Sequence, residues 1–181
     1  TVIDVNKVSV VKGGVTILSQ VEFAVSRGER VIVAGENGAG KTTLLKTILG
    51  LVPVTAGEIR VFDYPVRSRE RKTARKHLGY VNQESVQVEF PISAREVVEI
   101  GLAMSRGAHR RERAMAAMEQ TVTAGLEHRD YRVLSGGEKQ RVSIARCLAQ
   151  DASVLLLDEP GAFLDADARQ DVVATINRLN T

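Results

Sequence analysis

Alternation of apolar and polar residues marks the N-terminal part of the chain. Residues 5–11 (VNKVSVV) and 15–25 (VTILSQVEFAV) alternate as half-buried antiparallel strands do. The next apolar run, residues 30–35 (RVIVAG), is continuous, which predicts a strand buried on both faces. An N-terminal antiparallel hairpin followed by a buried central strand is therefore expected.

Helical and strand patterns then alternate to residue 83. A helix is predicted from Lys41 to about Leu49, with Gly50 well placed to end it. Residues 57–62 (GEIRVF) and 78–83 (LGYVNQ) are predicted strands with a charged helix between them. Strands that alternate with helices favour a parallel α/β sheet.

From about residue 84 to residue 134 no strand pattern occurs, so we predict a helical insertion. Ser93 and Glu96 have the spacing of a capping box that opens one helix, and a second is predicted from Arg110 to about Thr123. Beyond it we expect a helix to Gln150, a buried strand in residues 153–160 (SVLLLDEP), and a last helix from about Asp167 to Leu179. The fold class predicted is α/β, with a parallel sheet, an antiparallel β subdomain at the N-terminus and this insertion, in one domain over residues 1–181.

Composition excludes several classes. The chain has 181 residues, of which 44% are hydrophobic and 26% charged, ordinary values for a globular domain. No run approaches the roughly 18 apolar residues of a membrane span. The net charge of +3 is too small to require a nucleic-acid partner, so none is expected. The one cysteine, Cys147, is expected to be a small core residue in a reducing, cytoplasmic compartment.

Residues 35–42 (GENGAGKT) fit the phosphate-binding pattern G-x4-G-K-[ST] between a predicted strand and a predicted helix. Glycines let backbone amides approach phosphate oxygens, and the helix N-terminus adds positive potential. Lys41 is expected to reach the β- and γ-phosphates of a nucleoside triphosphate, and the Thr42 hydroxyl to bind Mg²⁺. The predicted nucleotide-binding residues of this glycine loop (residues 35–43) are Gly35, Asn37, Gly38, Ala39, Gly40, Lys41, Thr42 and Thr43.

Two carboxylates end the apolar strand 153–160. Asp158 is expected to hold Mg²⁺ through water, and Glu159 to act as general base for the attacking water. They lie at the C-terminal end of a strand, where open α/β sheets place their sites. The alternative is an acidic strand end that only caps the following turn.

Residues 134–141 (LSGGEKQR), the signature segment, pose a separate question. Ser135 and Glu138 form a capping box, and a well-capped helix start is the simplest interpretation. It leaves Gly136 and Gly137 unexplained, because two glycines weaken the first turn of a helix by up to about 1 kcal/mol each. Bare backbone there indicates that something approaches closely, and helix N-termini bind anions.

The signature segment resembles that of the ATP-binding cassette (ABC) ATPases, and the order of motifs matches: glycine loop, Gln83, helical insertion, signature segment, LLLDEP, then Asp165. This resemblance implies ATP and Mg²⁺ as ligands and head-to-tail pairing, as a homodimer or with another ABC subunit. Each ATP would then lie between the glycine loop of one subunit and Ser135, Gly136 and Gly137 of the other.

Two further roles follow from the resemblance. Gln83 would sense Mg²⁺ and the attacking water, joining Lys41 and Glu159 in the catalytic set, although a solvated strand-end glutamine is the alternative. Asp165 would communicate across the dimer seam, and it could also cap the last helix.

The sequence departs from the family pattern twice. The hairpin has Val11 and Lys12 where the family usually stacks an aromatic ring on adenine, so base specificity is expected to be loose. The family's switch histidine follows a further strand, whereas the chain stops at Thr181 and its histidines all precede the signature segment. We therefore expect the natural gene to continue past Thr181, and this chain to bind Mg-ATP but turn it over slowly.

The function expected is ATP hydrolysis that powers a membrane transporter, with import favoured. A Phe-Pro pair at residues 90–91 is similar to the metal-ion and metal-chelate importers. Partners would be transmembrane permease subunits and, indirectly, an extracytoplasmic binding protein, with the chain peripheral on the inner face of the cell membrane. The alternative is a non-transport ABC ATPase acting on nucleic acid, ribosomes or cluster assembly.

Overall fold

The structure, a computed structural model, describes residues 1–67, 71–82, 89–103 and 109–179. Its internal contacts divide the chain into two units, Thr1–Leu78 and Gly79–Thr181.

A four-stranded antiparallel sheet is the framework of the first unit. It consists of β1 (Ile3–Lys12), β2 (Val15–Val25), β3 (Ala56–Val61) and β4 (Tyr64–Pro65), in the order β2-β1-β3-β4. Gly13 and Gly14 connect β1 to β2 with φ of 58° and 79°, the left-handed conformation that tight hairpin turns require. Alternate residues of β1 are buried on each side of its bulge, Ile3 and Val5 before it and Val8 and Val10 after it. The antiparallel pairing of β1 with β2 confirms the hairpin predicted from the pattern.

A bulge in β1 places its backbone directly over β3. The register between the two strands shifts between Asn6 and Ser9, and Lys7 has a φ of 45°. Opposite the bulge, Gly57 has a φ of 83°, and a Cβ there would lie 2.3 Å from the Lys7 carbonyl oxygen. Only glycine fits, because the site combines a left-handed backbone with direct backbone contact.

Two helices complete the first unit, α1 (Lys41–Ile48) and α2 (Arg71–Lys76). Helix α1 ends as predicted, with Leu49 as the C-cap and Gly50 following at a φ of 67°. The charged helix expected before residue 78 corresponds to α2.

The prediction of a buried strand at residues 30–35 is wrong for this structure. Neither sheet of the described chain includes these residues, and Ile32 is 91% exposed. A continuous apolar run indicates a preference for burial, but a strand also needs partners for its backbone N–H and C=O groups, and the partners of a central strand come from distant parts of the chain. The local sequence pattern does not show which segments would be those partners.

The second unit contains a two-stranded parallel sheet of β5 (Leu78–Val81), which begins at the boundary between the units, and β6 (Val154–Leu157). Its helices are α3 (Ala94–Ile100), α4 (Arg110–Gln120), α5 (Gly136–Ala149) and α6 (Ala166–Arg178). They lie within a few residues of the predicted bounds. The Asp158 N–H donates to the Val81 carbonyl at 3.0 Å, which extends the β5–β6 pairing to the carboxylate position.

Helices α3, α4 and α5 share one apolar core, which includes Val98, Leu102, Met118 and Val142, all fully buried. Within residues 89–103 and 109–134 no strand is present, as expected of the helical insertion, apart from an isolated bridge between Ser93 and Asp130. None of the helices in the described ranges combines the length and apolar composition that a membrane crossing requires.

We predict that Gly57→Ala lowers the free energy of unfolding by about 2–4 kcal/mol, because the added Cβ meets backbone in addition to a left-handed φ. Gly14→Ala is the matched control: its φ is similar, but a Cβ there has no atom within 4 Å, so a loss of about 1 kcal/mol is expected. Urea denaturation of both variants measures the difference. Equal losses would show that the contact with the Lys7 carbonyl costs nothing.

Candidate functional site

The glycine loop folds around the ammonium group of Lys41. Lys41 Nζ donates to the carbonyl oxygens of Gly35 at 2.8 Å and Glu36 at 3.0 Å. The Ala39 N–H also donates to the Glu36 carbonyl, at 3.1 Å. Asn37 and Gly38 form the exposed turn of the loop, with Gly38 at a φ of 84°. The sequence thus closes a small loop with a positive charge at its centre.

Helix α1 begins directly after this loop, and its N-cap has no side chain. Gly40 has a φ of 91°, and a Cβ there would lie 3.1 Å from the Ile17 carbonyl oxygen and 3.0 Å from Leu18. No acidic residue lies in the first turn, where Thr42 and Thr43 are partly buried. The first-turn amides of α1 are therefore not capped by a side chain of residue 40, and they add to the positive potential of Lys41.

Asp158 is a buried carboxylate in the second unit, with 2% of its surface exposed. The Tyr80 hydroxyl donates to its Oδ2 at 2.9 Å and also lies 3.4 Å from Asn82 Oδ1. Burial and the carboxylate together raise the pKa of Tyr80 well above its ordinary value, so the phenol stays protonated and can donate. Sequence reasoning missed this tyrosine. The available signal was a phenol in a strand of buried residues, because such hydroxyls need a partner.

Tyr80 is itself held by helix α5. Arg146 Nη2 donates to the Tyr80 carbonyl at 3.0 Å, and the Cys147 thiol lies 3.6 Å from the same oxygen. Cys147 is buried, as predicted for a core residue, and burial raises the pKa of its thiol. Gly79 allows this approach, since a Cβ there would lie 2.6 Å from the Cys147 Cβ.

Glu159 follows Asp158 in an unusual backbone conformation. Its φ is 47°, and its carbonyl accepts a hydrogen bond from the Ala162 N–H at 2.9 Å. Such a left-handed conformation costs a residue other than glycine about 1–3 kcal/mol. It also turns Glu159 away from the regular strand geometry, so that the two adjacent acids have different surroundings.

Ser135 caps helix α5 in the predicted capping box. The Ser135 N–H donates to Glu138 Oε2 at 2.8 Å, and the Glu138 N–H donates to Ser135 Oγ at 3.3 Å. Hydrogen bonding to Ser135 lowers the pKa of Glu138. Helix α3 begins with the same arrangement at Ser93 and Glu96.

The two glycines of the signature segment have a packing role within the chain. A Cβ on Gly136 would lie 2.8 Å from Leu164 Cδ2, and one on Gly137 would lie 2.9 Å from Ala168 Cβ. What approaches the bare backbone here is thus Leu164, just before α6, and Ala168 in the first turn of α6. Ser135 and Gly136 remain exposed, whereas Gly137 is buried.

Asp165 is the N-cap of α6, which confirms the expectation that it caps the last helix. Its Oδ1 accepts a hydrogen bond from the Ala168 N–H at 2.8 Å. The exposed Asp165 carboxylate is therefore bonded to the backbone of Ala168, the residue that packs against Gly137. Gln83 lies outside the described residues, and its predicted role stays a prediction.

The donor chemistry is compatible with Mg²⁺. This ion prefers oxygen ligands and is usually bound by one or two carboxylates together with substrate phosphates and water. Among the described residues no group of three acidic, histidine or cysteine side chains could form an all-protein metal cage. The Asp158 carboxylate in the second unit and the Thr42 hydroxyl in the first are each oxygen ligands of the kind that this ion prefers.

Comparison with known proteins gives concordant results. Residues 18–162 match the family described as ABC transporter. The chain is 36% identical over 170 residues to the zinc transport system ATP-binding protein TroB of Treponema pallidum, covering 90% of this chain and 62% of the relative. It is 38% identical over 166 residues to the hemin import ATP-binding protein HmuV of Hahella chejuensis, covering 87% and 64%.

The fold is also similar to solved cassettes. A dimeric ATP-binding cassette in a post-hydrolysis state with ADP and Pi aligns with a TM-score of 0.83 and 27% identity, over 98% of this chain and 82% of that one. The chain spans 62% and 64% of the length of the two sequence relatives. The glycine loop, the buried Asp158 and the capped signature segment thus occur in a chain that belongs to the ABC transporter family.

Proposed function

We propose that this chain is the ATP-binding and ATP-hydrolysing part of a membrane transporter. The observation that carries the proposal is the glycine loop, in which the Lys41 ammonium and the start of α1 together offer positive charge to a triphosphate. Family membership supports transport, and the names of the zinc and hemin relatives support import of a metal ion or metal chelate.

In the proposed reaction each residue has a separate task. Lys41 exchanges its two carbonyl partners for phosphate oxygens and stabilises the charge of the transferred group. Glu159 takes a proton from the attacking water, and Asp158 and Thr42 hold Mg²⁺. When bound, Mg²⁺ neutralises charge on the phosphates. Gln83 is proposed to position the water.

The second half of the site would come from a paired subunit, either a second copy or another ABC subunit. The exposed Ser135 and Gly136 at the start of α5 are suited to contact the γ-phosphate of an ATP bound to the partner. Gly137 would contribute its backbone as well, although its packing against Ala168 gives it a structural role in the same segment. The solved dimer of a related cassette supports this pairing.

The transport proposal also implies permease subunits as partners and a location on the inner face of the cell membrane. Affinity capture of the tagged chain from solubilised cells tests this. Co-purifying membrane proteins would support transport, whereas ribosomes or nucleic acid would favour the alternative of a non-transport ABC ATPase.

We predict that Glu159→Gln produces a stable dimer in ATP and Mg²⁺, because binding survives while the general base is lost. Size-exclusion chromatography should show twice the monomer mass only when both ligands are present. Adding Lys41→Ala should abolish the dimer, since that variant cannot hold the triphosphate. A Glu159→Gln chain that binds ATP but stays monomeric would contradict head-to-tail pairing.

The two capping boxes allow the role of Ser135 in the site to be separated from capping. Ser135→Ala and Ser93→Ala should each lower the free energy of unfolding by about 1 kcal/mol, because each removes the same cap. In the Glu159→Gln background only Ser135→Ala should weaken ATP-dependent dimerisation, by about tenfold or more, since a hydrogen bond to a charged group is lost. Analytical ultracentrifugation measures the dimer constant. Equal effects of the two substitutions would reduce Ser135 to a helix cap.

A further inference from the structure

We infer that Tyr80 is a positioning residue for Asp158, fixing the carboxylate in the orientation that metal-nucleotide binding requires. This inference rests on the proposed function, because it concerns the same site. It adds a residue that the motif pattern does not contain.

The hydrogen bond between Tyr80 and Asp158 is short and largely excluded from solvent. The Tyr80 hydroxyl donates to Asp158 Oδ2 at 2.9 Å, and the carboxylate has only 2% of its surface exposed. A hydrogen bond to an ionised acceptor is stronger than one between neutral groups, and it strengthens further where water is excluded. The phenol therefore restricts rotation of the Asp158 carboxylate about its side-chain torsions. Carboxylates that bind metals are commonly oriented in this way by a hydrogen-bonded neighbour.

Tyr80 is well suited to this task because strand pairing and a contact from helix α5 fix its backbone. Its backbone belongs to β5, next to β6, which leads into Asp158. Its carbonyl accepts from Arg146 of α5, and the absence of a side chain at Gly79 lets the α5 residue Cys147 pack against the strand. The hydroxyl thus has little freedom to follow the carboxylate if the carboxylate moves.

The arrangement links the signature helix to the acidic site in this unit. Helix α5 begins at Gly136 and reaches Arg146 three turns later, where its side chain holds the Tyr80 backbone. Tyr80 then holds Asp158. The inference concerns only the contact between the Tyr80 hydroxyl and Asp158. Tyr80→Phe removes this hydroxyl and keeps the ring.

The test measures metal binding separately from hydrolysis. The probe is Mn²⁺, titrated into the full chain with a non-hydrolysable ATP analogue and followed by electron paramagnetic resonance. We expect Tyr80→Phe to weaken Mn²⁺ binding about tenfold, the usual cost of losing an orienting partner. Binding of the analogue in EDTA should stay within about twofold, because the glycine loop is intact. Tyr64→Phe, a tyrosine in β4 that is 38% exposed, is the matched control and should change neither value.

A double-mutant cycle shows whether Tyr80 acts through Asp158. Asp158→Ala, which leaves no acceptor for the Tyr80 hydroxyl, should itself weaken Mn²⁺ binding, and adding Tyr80→Phe should then cost nothing more. Unchanged Mn²⁺ affinity in Tyr80→Phe, or the same further loss in the Asp158→Ala background, would overturn the inference. Failure of the unmodified chain to bind the analogue at all would instead contradict the proposed function and, with it, this inference.

Discussion

A carboxylate removed from water must be compensated by hydrogen-bond donors, and the second unit is arranged around that requirement. Asp158 is almost wholly buried, and an isolated ionised carboxylate in such a place would be costly. Its backbone N–H is bonded to Val81 of β5, and its side chain to the Tyr80 hydroxyl. Arg146 of helix α5 donates a hydrogen bond to the Tyr80 carbonyl. Strand pairing, helix packing and the acidic site therefore depend on one another.

The described helix starts differ in whether a side chain caps them, and neither α1 nor α4 has a side-chain cap. Helices α3, α5 and α6 begin with a side chain that accepts a hydrogen bond from the first turn: Ser93, Ser135 and Asp165. Helix α1 begins with Gly40, which has no side chain to do so. A serine cap also differs from an aspartate cap, because a hydroxyl that accepts from an amide keeps its own proton to donate, whereas an ionised carboxylate can only accept. Ser135 therefore caps α5 with its oxygen while its side chain also hydrogen-bonds to the Glu138 carboxylate, whereas an ionised Asp165 has no proton to donate.

Much of this could be predicted from the sequence, because the signals are local. Capping boxes, the glycine that ends α1, and the alternation of β1 and β2 depend on residues a few positions apart. The contact between Tyr80 and Asp158 joins residues 78 positions apart, and no spacing rule reaches that far. The prediction of a buried strand at residues 30–35, which are exposed, failed for the same reason. Apolar character predicts burial, but it does not identify the strands that would pair with this segment. For Gly136 and Gly137 the close approach was predicted, but the packing of α6 against them was not.

That packing has a consequence for how the proposed pair of sites would communicate. In the proposed head-to-tail pair, the signature segment of one chain would face the partner's ATP, whereas Glu159 would act on the ATP bound by its own chain. Within one chain, however, there is no room for a methyl group between Gly136 and Leu164 or between Gly137 and Ala168, and Leu164 and the Asp165 cap lie in the segment that follows Glu159. Close-packed contacts without room for a methyl group transmit displacement, since neither side can move alone. In the proposed pair, a shift of α5 on loss of the partner's γ-phosphate would therefore displace the turn after Glu159, and these packing contacts would couple the two sites within one subunit.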